Sequence, residues 1–196
     1  MARRRDARWD IGIFRVPKED GQLKLRLSRL PGKMKGKLRG THAPSSLKYA
    51  IWGLISGTLS ILAILAVTRM AGFPLLIGSF GASAVLLFGA NESPLAQPRN
   101  LIGGHLVSAF VAVLIVALCG SGPFAMAFGV GAAIFMMDIT RTTHPPGGAT
   151  ALIGIQGHAG YAFVLLPVLT GALILLAVAL FTNNIVHHRQ YPKHWL

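Results

Sequence analysis

Apolar residues occur in long runs separated by short polar stretches, and the length of each run predicts the helix that it forms. A helix needs roughly 20 apolar residues to cross about 30 Å of hydrocarbon. Four runs reach or approach this length, at residues 49–67, 101–118, 124–137 and 161–181. The pattern therefore predicts four membrane-spanning helices.

Two further apolar runs, at residues 75–89 and 147–155, are too short or too rich in glycine and serine to cross in the same way. Fifteen helical residues reach only about 22 Å at a rise of 1.5 Å per residue. We expect these two segments to form short, broken or tilted helices inside the bundle. Each of them lies between two of the long helices along the chain.

The order of long, short and long helix occurs twice, and a shift of 67 residues aligns the two copies. The shift places residues 81–84 (GASA) over residues 148–151 (GATA), and Gly104 over Gly171. Three crossings in each copy would invert the second copy relative to the first, an arrangement typical of transporters. The predicted fold is an all-α polytopic membrane helical bundle of two three-helix repeats of inverted topology, each with a short or broken helix.

Charge is concentrated at the start of the chain. Residues 1–48 carry 14 of the 19 Lys and Arg residues, and the net charge is +13. Basic segments beside membrane helices stay in the cytoplasm and can contact anionic lipid. The sequence thus predicts a basic cytoplasmic arm (1–48), a membrane domain (49–186) and a short basic, His-rich cytoplasmic tail (187–196). Nucleic acid is not an expected partner, because the arm has no base-reading motif.

Two topologies place both termini in the cytoplasm. Six crossings bring Glu92, Arg99, Asp138 and Arg141 to the cytoplasmic side, in agreement with the charge rule. Four crossings with two re-entrant short helices are the alternative, and we favour six. The expected location is the cell inner membrane, with both termini in the cytoplasm.

The polar segment DITRTTHPPGGATA, residues 138–151, interrupts apolar sequence. Paired prolines lack amide N–H groups and suit the first turn of a helix, so a short helix is expected to begin at Pro145 and Pro146. The amides of Gly147 and Gly148 would then point free, and glycine lets a ligand or another helix approach them. Free amides at a helix start favour anions.

Three segments of the chain resemble the characteristic segments of the HPP family of integral membrane proteins, namely THPPGGATAL, GSFGASAVLLFG and ESPLAQPRNLIGGH. The resemblance covers about residues 49–183. It implies a small multi-helix membrane protein, and plant plastid and cyanobacterial members of the family are linked to nitrite transport. The resemblance therefore implies a membrane of the cyanobacterial or plastid-envelope type as the alternative location. The expected function is a transporter or channel for a small inorganic anion, with nitrite as the leading candidate. A non-transporting membrane scaffold or partner-binding subunit is the alternative.

Candidate residues of the substrate path come from the short helices and the polar segment. They are Gly81, Ser83, Arg141, Thr143, His144, Gly147, Gly148 and Thr150. Hydroxyls bonded back to their own helix, and a loop-bonding role for His144, are the alternatives to lining a path. Residues with a structural interpretation are Asp138, Pro145, Pro146, Arg99 and His105.

Charged and histidine side chains have competing interpretations. Asp138 and Arg141 would share a face of a continuing helix and pair, or Arg141 would contact an anion at the cytoplasmic mouth. His105 is interpreted as a packing residue with its hydrogen bonds satisfied. A metal site formed by His105, His144 and His158 is not favoured, because no two of them have helical spacing.

No catalytic motif occurs in the sequence, so an enzyme is not expected, and neither is a cofactor or a metal. The expected partners are the lipid bilayer, a small anion and further copies of the same chain. Small residues at positions such as 103, 104, 129 and 131 permit close helix packing.

Overall fold

The computed structural model describes residues 46–187 and 189–196, together with the isolated positions 28, 29 and 34. Nearly all of the predicted basic arm, and His188 of the predicted tail, lie outside the described residues. Contacts divide the chain into the units Met1–Pro44 and Ser45–Leu196. The second unit holds six helices, and no strand occurs among the described residues.

The six helices follow the predicted order of long, short, long, long, short, long. They are α1 (Leu47–Ala71), α2 (Gly78–Gly89), α3 (Pro98–Cys119), α4 (Pro123–Thr140), α5 (Pro145–Gln156) and α6 (Val164–Ile185). Of the described helices, α1, α3, α4 and α6 are long and apolar enough to cross a membrane. The predicted all-helical polytopic bundle is confirmed, with helix ends shifted by a few residues.

Proline and backbone conformation explain where the helices begin and end. Pro98, Pro123 and Pro145 each occupy the first turn of a helix, where a missing amide N–H costs nothing. Gly72 ends α1 in the left-handed conformation at φ 73°, which glycine adopts without steric strain. The break after α1 and the paired prolines therefore delimit the two short helices.

The bundle buries polar residues beside an apolar core and exposes large apolar residues on its outside. Leu54 and Leu118 are 70% and 73% exposed, whereas Ser60 and Ser83 are completely buried. A water-soluble bundle would show the opposite distribution, because exposed apolar area is unfavourable in water. The apolar exterior fits a hydrocarbon solvent.

Contacts of the C-terminal segment show which loops share an end of the bundle. Arg189 Nη2 donates to the carbonyl of Tyr49 at the start of α1. The hydroxyl of Tyr191 donates to the carbonyl of Ala96, in the turn before α3. The tail, the start of α1 and the turn at 94–96 therefore lie at the same end.

Two more contacts place the remaining loops. Asn100 Nδ2 donates to the carbonyl of Thr143 at 2.8 Å, so the start of α5 lies at that same end. At the opposite end, the Ser121 hydroxyl contacts the His158 imidazole between the loops that follow α3 and α5. Each helix, including both short ones, thus runs between the two ends. The shared end of the turn at 94–96 and the tail agrees with six crossings; the re-entrant alternative would put the turn opposite the tail.

The two repeats interlock through equivalent contacts. The 67-residue shift relates Phe80 to Gly147 and Gly171 to Gly104. A Cβ on Gly171 would overlap the Phe80 ring, and a Cβ on Gly147 would lie 3.0 Å from the carbonyl oxygen of Gly104. Each short helix therefore packs against the last helix of the other repeat. The first helix of each repeat also packs against the last helix of the other repeat, α1 against α6 and α4 against α3.

Candidate functional site

A hydrogen-bonded set of polar groups lies buried where α2, α3 and α5 meet. Each of its five polar side chains is at most 1% exposed. Burying polar groups costs free energy unless they are bonded, and polar residues inside membrane bundles are functional candidates by default. We name this set the polar seam; it consists of the carbonyl of Leu95 and the side chains of Ser79, Ser83, His105, His144 and Thr150.

One imidazole of the polar seam is anchored to the turn before α3. His144 Nδ1 lies 2.8 Å from the carbonyl oxygen of Leu95, and its Nε2 lies 2.8 Å from the Ser83 hydroxyl. A carbonyl oxygen only accepts hydrogen bonds, so Nδ1 of His144 carries a proton. The His144 side chain thus bonds the turn before α3 and the short helix α2, whereas the loop-bonding alternative predicted a bond to its own loop.

The second imidazole joins the two repeats. His105 Nε2 lies 2.8 Å from the Ser83 hydroxyl, and its Nδ1 lies 2.8 Å from the Thr150 hydroxyl. The Thr150 hydroxyl lies 2.8 Å from Ser79 Oγ and 3.4 Å from the carbonyl oxygen of Pro146 on its own helix. Both nitrogens of His105 are therefore bonded, as the packing interpretation predicts, but their partners belong to the two short helices.

Small residues on α3 let the loop before α5 come close enough to place His144. A Cβ on Gly104 would overlap the Cβ of His144 and lie 2.8 Å from the carbonyl oxygen of Thr142. A Cβ on Gly103 would lie 2.5 Å from the Thr142 side chain. The His105 and His144 rings meet edge to face with their centroids 5.0 Å apart. The absence of a Cβ at Gly103 and Gly104 thus allows the two imidazoles to lie in one site.

Gly147 does not present a free amide. Its N–H donates to the carbonyl of His144 at 2.7 Å. A Cβ on Gly147 would lie 2.7 Å from the Ser108 hydroxyl and 2.8 Å from the sulfur of Met137. The expectation that this backbone is open to a ligand is wrong for Gly147, because α3 and α4 occupy the space.

Two other predicted glycines are more open. Gly148 is half-buried, and the nearest atom to a Cβ there would be Cγ1 of Val130 at 3.9 Å. Gly81 is exposed, with nothing within 4 Å of an added Cβ. Gly81 therefore faces outward from α2, whereas Ser83 faces the polar seam.

The predicted pairing of Asp138 with Arg141 does not occur. The α4 helix ends at Thr140, and Arg141 adopts a left-handed conformation at φ 55° that removes it from the helix face. Asp138 instead accepts a hydrogen bond from the Thr143 hydroxyl at 2.8 Å. Arg141 is exposed. Arg99 donates to the carbonyl of Thr140 at the end of α4, where the negative end of the helix dipole stabilises a cation.

The structure brings together Ser83, His144 and Thr150 from the predicted path and adds Ser79 and His105. Among the described residues no group of three His, Cys, Asp or Glu side chains is placed to hold a metal ion. Sequence reasoning missed the connection between the histidines because they lie on different helices. The shift that aligns Ser83 with Thr150 was the available signal.

The C-terminal segment is a second polar region that sequence reasoning missed. Arg189 is 6% exposed and donates to the carbonyl of Phe88 at 2.8 Å and to Asn183 Oδ1 at 3.0 Å. Its guanidinium also lies 4.4 Å from the centre of the Tyr49 ring. The segment that the sequence predicts as a short basic tail is docked against α1, α2 and α6.

Tyr191 completes this docking. Its hydroxyl bond to Ala96 is buried, and burial raises the pKa of the Tyr191 phenol. Its backbone N–H and carbonyl both bond the side-chain amide of Asn184. Lys193 pairs with Glu92 at 3.1 Å at the outer edge of the contact.

Comparison with known proteins agrees with this architecture. Two transmembrane proteins of Dictyostelium discoideum are each 49% identical to the chain. One match covers 133 residues, or 64% of this chain and 47% of the relative; the other covers 128 residues, or 61% and 41%. The chain thus spans less than half the length of these relatives. No solved structure matches it.

The family model that describes the HPP transmembrane region matches residues 42–192. This range contains all six helices, the polar seam and the docked residues Arg189 and Tyr191. The resemblance carried by the segments around His144, Ser83 and Arg99 therefore extends over most of the sequence. The chain belongs to the HPP family of membrane proteins.

Proposed function

We propose that this protein moves a small inorganic anion across a membrane, with nitrite as the first candidate. The observation that carries the proposal is the polar seam, which joins two short helices inside a bundle with an apolar exterior. Short or broken helices that meet inside repeat transporters form their substrate sites. The link of some HPP proteins to nitrite transport supports the same function.

The chemistry of the polar seam suits an anion. Its groups are hydroxyls and imidazoles, which donate hydrogen bonds, and it contains no carboxylate. Arg99 and exposed Arg141 lie near the start of α5 and raise the local concentration of anions. In the present conformation the seam is closed, because Thr150 on α5 bonds Ser79 on α2. Breaking the bond between Thr150 and Ser79 would free hydroxyl and imidazole donors to bind an anion between α2 and α5.

Flux into liposomes tests the proposal. Purified full-length chain should carry nitrite, measured beside nitrate, formate and chloride, above the rate of empty liposomes. Thr150→Val keeps the shape of the side chain but removes a donor, a loss of about 1 to 1.5 kcal/mol that corresponds to roughly tenfold in rate. Thr182→Val is the matched control, since Thr182 is 3% exposed on α6 and bonds only its own helix through its hydroxyl.

The outcomes separate the alternatives. Nitrite flux that falls in Thr150→Val and persists in Thr182→Val supports transport through the polar seam. Equal flux in both variants would place the path elsewhere. If no anion crosses faster than in empty liposomes, the protein is better described as a membrane scaffold or partner-binding subunit.

A further inference from the structure

The polar seam has five hydrogen-bonded links, and each link needs one proton. In order they join Leu95 O, His144, Ser83, His105, Thr150 and Ser79. The Leu95 carbonyl fixes a proton on His144 Nδ1, because a carbonyl cannot donate. The position of every other proton then follows from the total number of protons in the chain.

With both histidines neutral, only one arrangement satisfies all five links. His144 Nε2 is bare and accepts from the Ser83 hydroxyl, so Ser83 accepts from Nε2–H of His105. The bare Nδ1 of His105 accepts from Thr150, and Thr150 accepts from Ser79. The protons of the other four links then all point towards His144, whereas the Nδ1 proton of His144 points towards Leu95 O.

One added proton gives a second complete arrangement. The proton enters at Ser79, and each link passes one proton onward: Ser79 to Thr150, Thr150 to His105 Nδ1, His105 Nε2 to Ser83, and Ser83 to His144 Nε2. The atoms balance, since one N–H or O–H bond forms for each that breaks. His144 becomes an imidazolium, while His105 stays neutral as its other tautomer. Thr150 then donates to Ser79, a direction that the geometry of the two hydroxyls allows.

The added charge would rest on His144, because the Leu95 carbonyl cannot pass the proton on. The titratable groups on the packed elements are few. Helices α2 and α5 have none, α3 has Arg99, His105 and Cys119, and α4 has Asp138. Asp138 accepts from Thr143, Arg99 donates to Thr140 and Cys119 is exposed at the far end of α3. No carboxylate in the described bonds compensates an imidazolium at His144, so an anion would serve as its counter-ion.

We propose that the polar seam is a proton-loading site, in which one proton taken up through Ser79, Thr150, His105 and Ser83 is stored on His144. Resting on the proposed function, we extend this to the carried anion, which pairs with the loaded imidazolium so that proton and anion move together. The extension makes the protein a proton-coupled anion carrier. It assigns His105 the role of relay and His144 that of proton acceptor.

Nitrogen NMR of the full chain, labelled with ¹⁵N-histidine and held in lipid nanodiscs, tests the loading step directly. The signals are assigned with His105→Gln and His144→Gln. Between about pH 9 and pH 4, the range that includes ordinary histidine titration, His144 should gain its second N–H while His105 changes from Nε2–H to Nδ1–H in the same step. A His105 tautomer that does not change when His144 is protonated, or a His144 that stays neutral throughout, overturns the proposal.

Variants keep the test sharp. Ser83→Ala removes the shared link, so His105 should keep its tautomer while His144 titrates separately. If Ser83→Ala does not fold, Thr150→Val serves instead; it removes the acceptor for Nδ1–H of His105 and should lower the midpoint of the joint step. Thr182→Val should leave the joint step unchanged, and a change there would indicate a global effect rather than a relay.

Nitrite added to the same sample tests the pairing. Linkage requires that an anion bound beside the imidazolium raise proton affinity, by about tenfold for a typical coupling. If nitrite, nitrate, formate and chloride all leave the pH midpoint of the joint step unchanged, the result supports proton loading and overturns the pairing with an anion. Nitrite flux in liposomes without any joint step overturns loading and leaves the proposed transport standing.

Discussion

The Ser83 and Thr150 hydroxyls, at corresponding positions of the two repeats, bond opposite nitrogens of the same imidazole, that of His105. The residue that corresponds to His105 in the second repeat is Ala172, which is 1% exposed. His105 therefore has no histidine counterpart in the second repeat. The helical scaffold is repeated, but the chemistry at its centre is not.

The Gly104 contact gives a prediction about folding. Gly104→Ala should destabilise the bundle by roughly 1 to 3 kcal/mol, because the added methyl group overlaps His144 and approaches the carbonyl of Thr142. The midpoint of unfolding in detergent measures the effect. Gly131→Ala is the control, since nothing lies within 4 Å of a Cβ there and alanine favours the helix. Equal midpoints for the two variants would show that the loop does not depend on this approach.

Gly148 gives a prediction about transport. Gly148→Val should leave folding intact, since the nearest atom to its Cβ is 3.9 Å away, and should reduce nitrite flux about tenfold if the anion meets the start of α5. Gly147→Val should instead prevent normal packing, because Ser108 and Met137 occupy its space. Normal flux in Gly148→Val would mean that the start of α5 is only a structural turn.

The docked C-terminal segment can be tested through Arg189. Arg189→Lys keeps the charge but loses the planar donor group, which leaves buried carbonyl acceptors such as Phe88 O without a partner. We expect a loss of about 2 to 3 kcal/mol, read from unfolding by denaturant. Lys193→Ala breaks only the exposed pair with Glu92 and should change stability by at most about 1 kcal/mol. Similar losses for both variants would contradict a specific role of the guanidinium.

Tyr191 predicts how stability depends on alkaline pH. Its folded-state pKa is raised above the unfolded value of about 10, so its contribution is complete below about pH 10 and is lost as the pH rises towards the folded pKa. In that window stability should fall by about 1.4 kcal/mol per pH unit. Tyr191→Phe should be less stable at neutral pH but show a shallower alkaline decline in unfolding midpoint. An unchanged slope would assign the decline to other groups.

Orientation can be measured with the natural cysteine. Cys119 is exposed at the end of α3, opposite the end that holds the C-terminal segment, whereas the Gln190 side chain is exposed within that segment. With cytoplasmic termini, an impermeant thiol reagent outside intact cells should label Cys119. It should not label Gln190→Cys in a Cys119→Ala background. The reverse pattern would show that the protein has the opposite orientation in its membrane. Labelling of both positions would contradict six crossings.

Hydropathy and proline placement were enough to predict the six helices. Each apolar run forms a helix, and Pro145 begins α5 after His144, as expected from a residue without an amide N–H. The repeat was also predictable, since the alignment of Ser83 with Thr150 places both at the contact between repeats. These features depend on local sequence or on its recurrence.

The contacts between distant segments were not predictable in the same way. His105 and His144 meet because Gly104 lets a loop cross α3, and no sequence spacing encodes that distance. Arg189 looked like a tail residue because its partners are backbone carbonyls, such as Phe88 O, that any sequence supplies. Arg141 was placed on a continuing helix, but its positive φ ends α4 instead.

The packing of α1 against α6 has a consequence for how the protein is made. Trp52 on α1 donates to the carbonyl of Thr182 on α6 at 2.9 Å, so of the six helices the one synthesised earliest binds the one synthesised latest. During synthesis α1 is therefore in the lipid without α6 until the helices between them have been inserted. A chain interrupted before α6 therefore leaves the Trp52 indole N–H without the acceptor that α6 supplies.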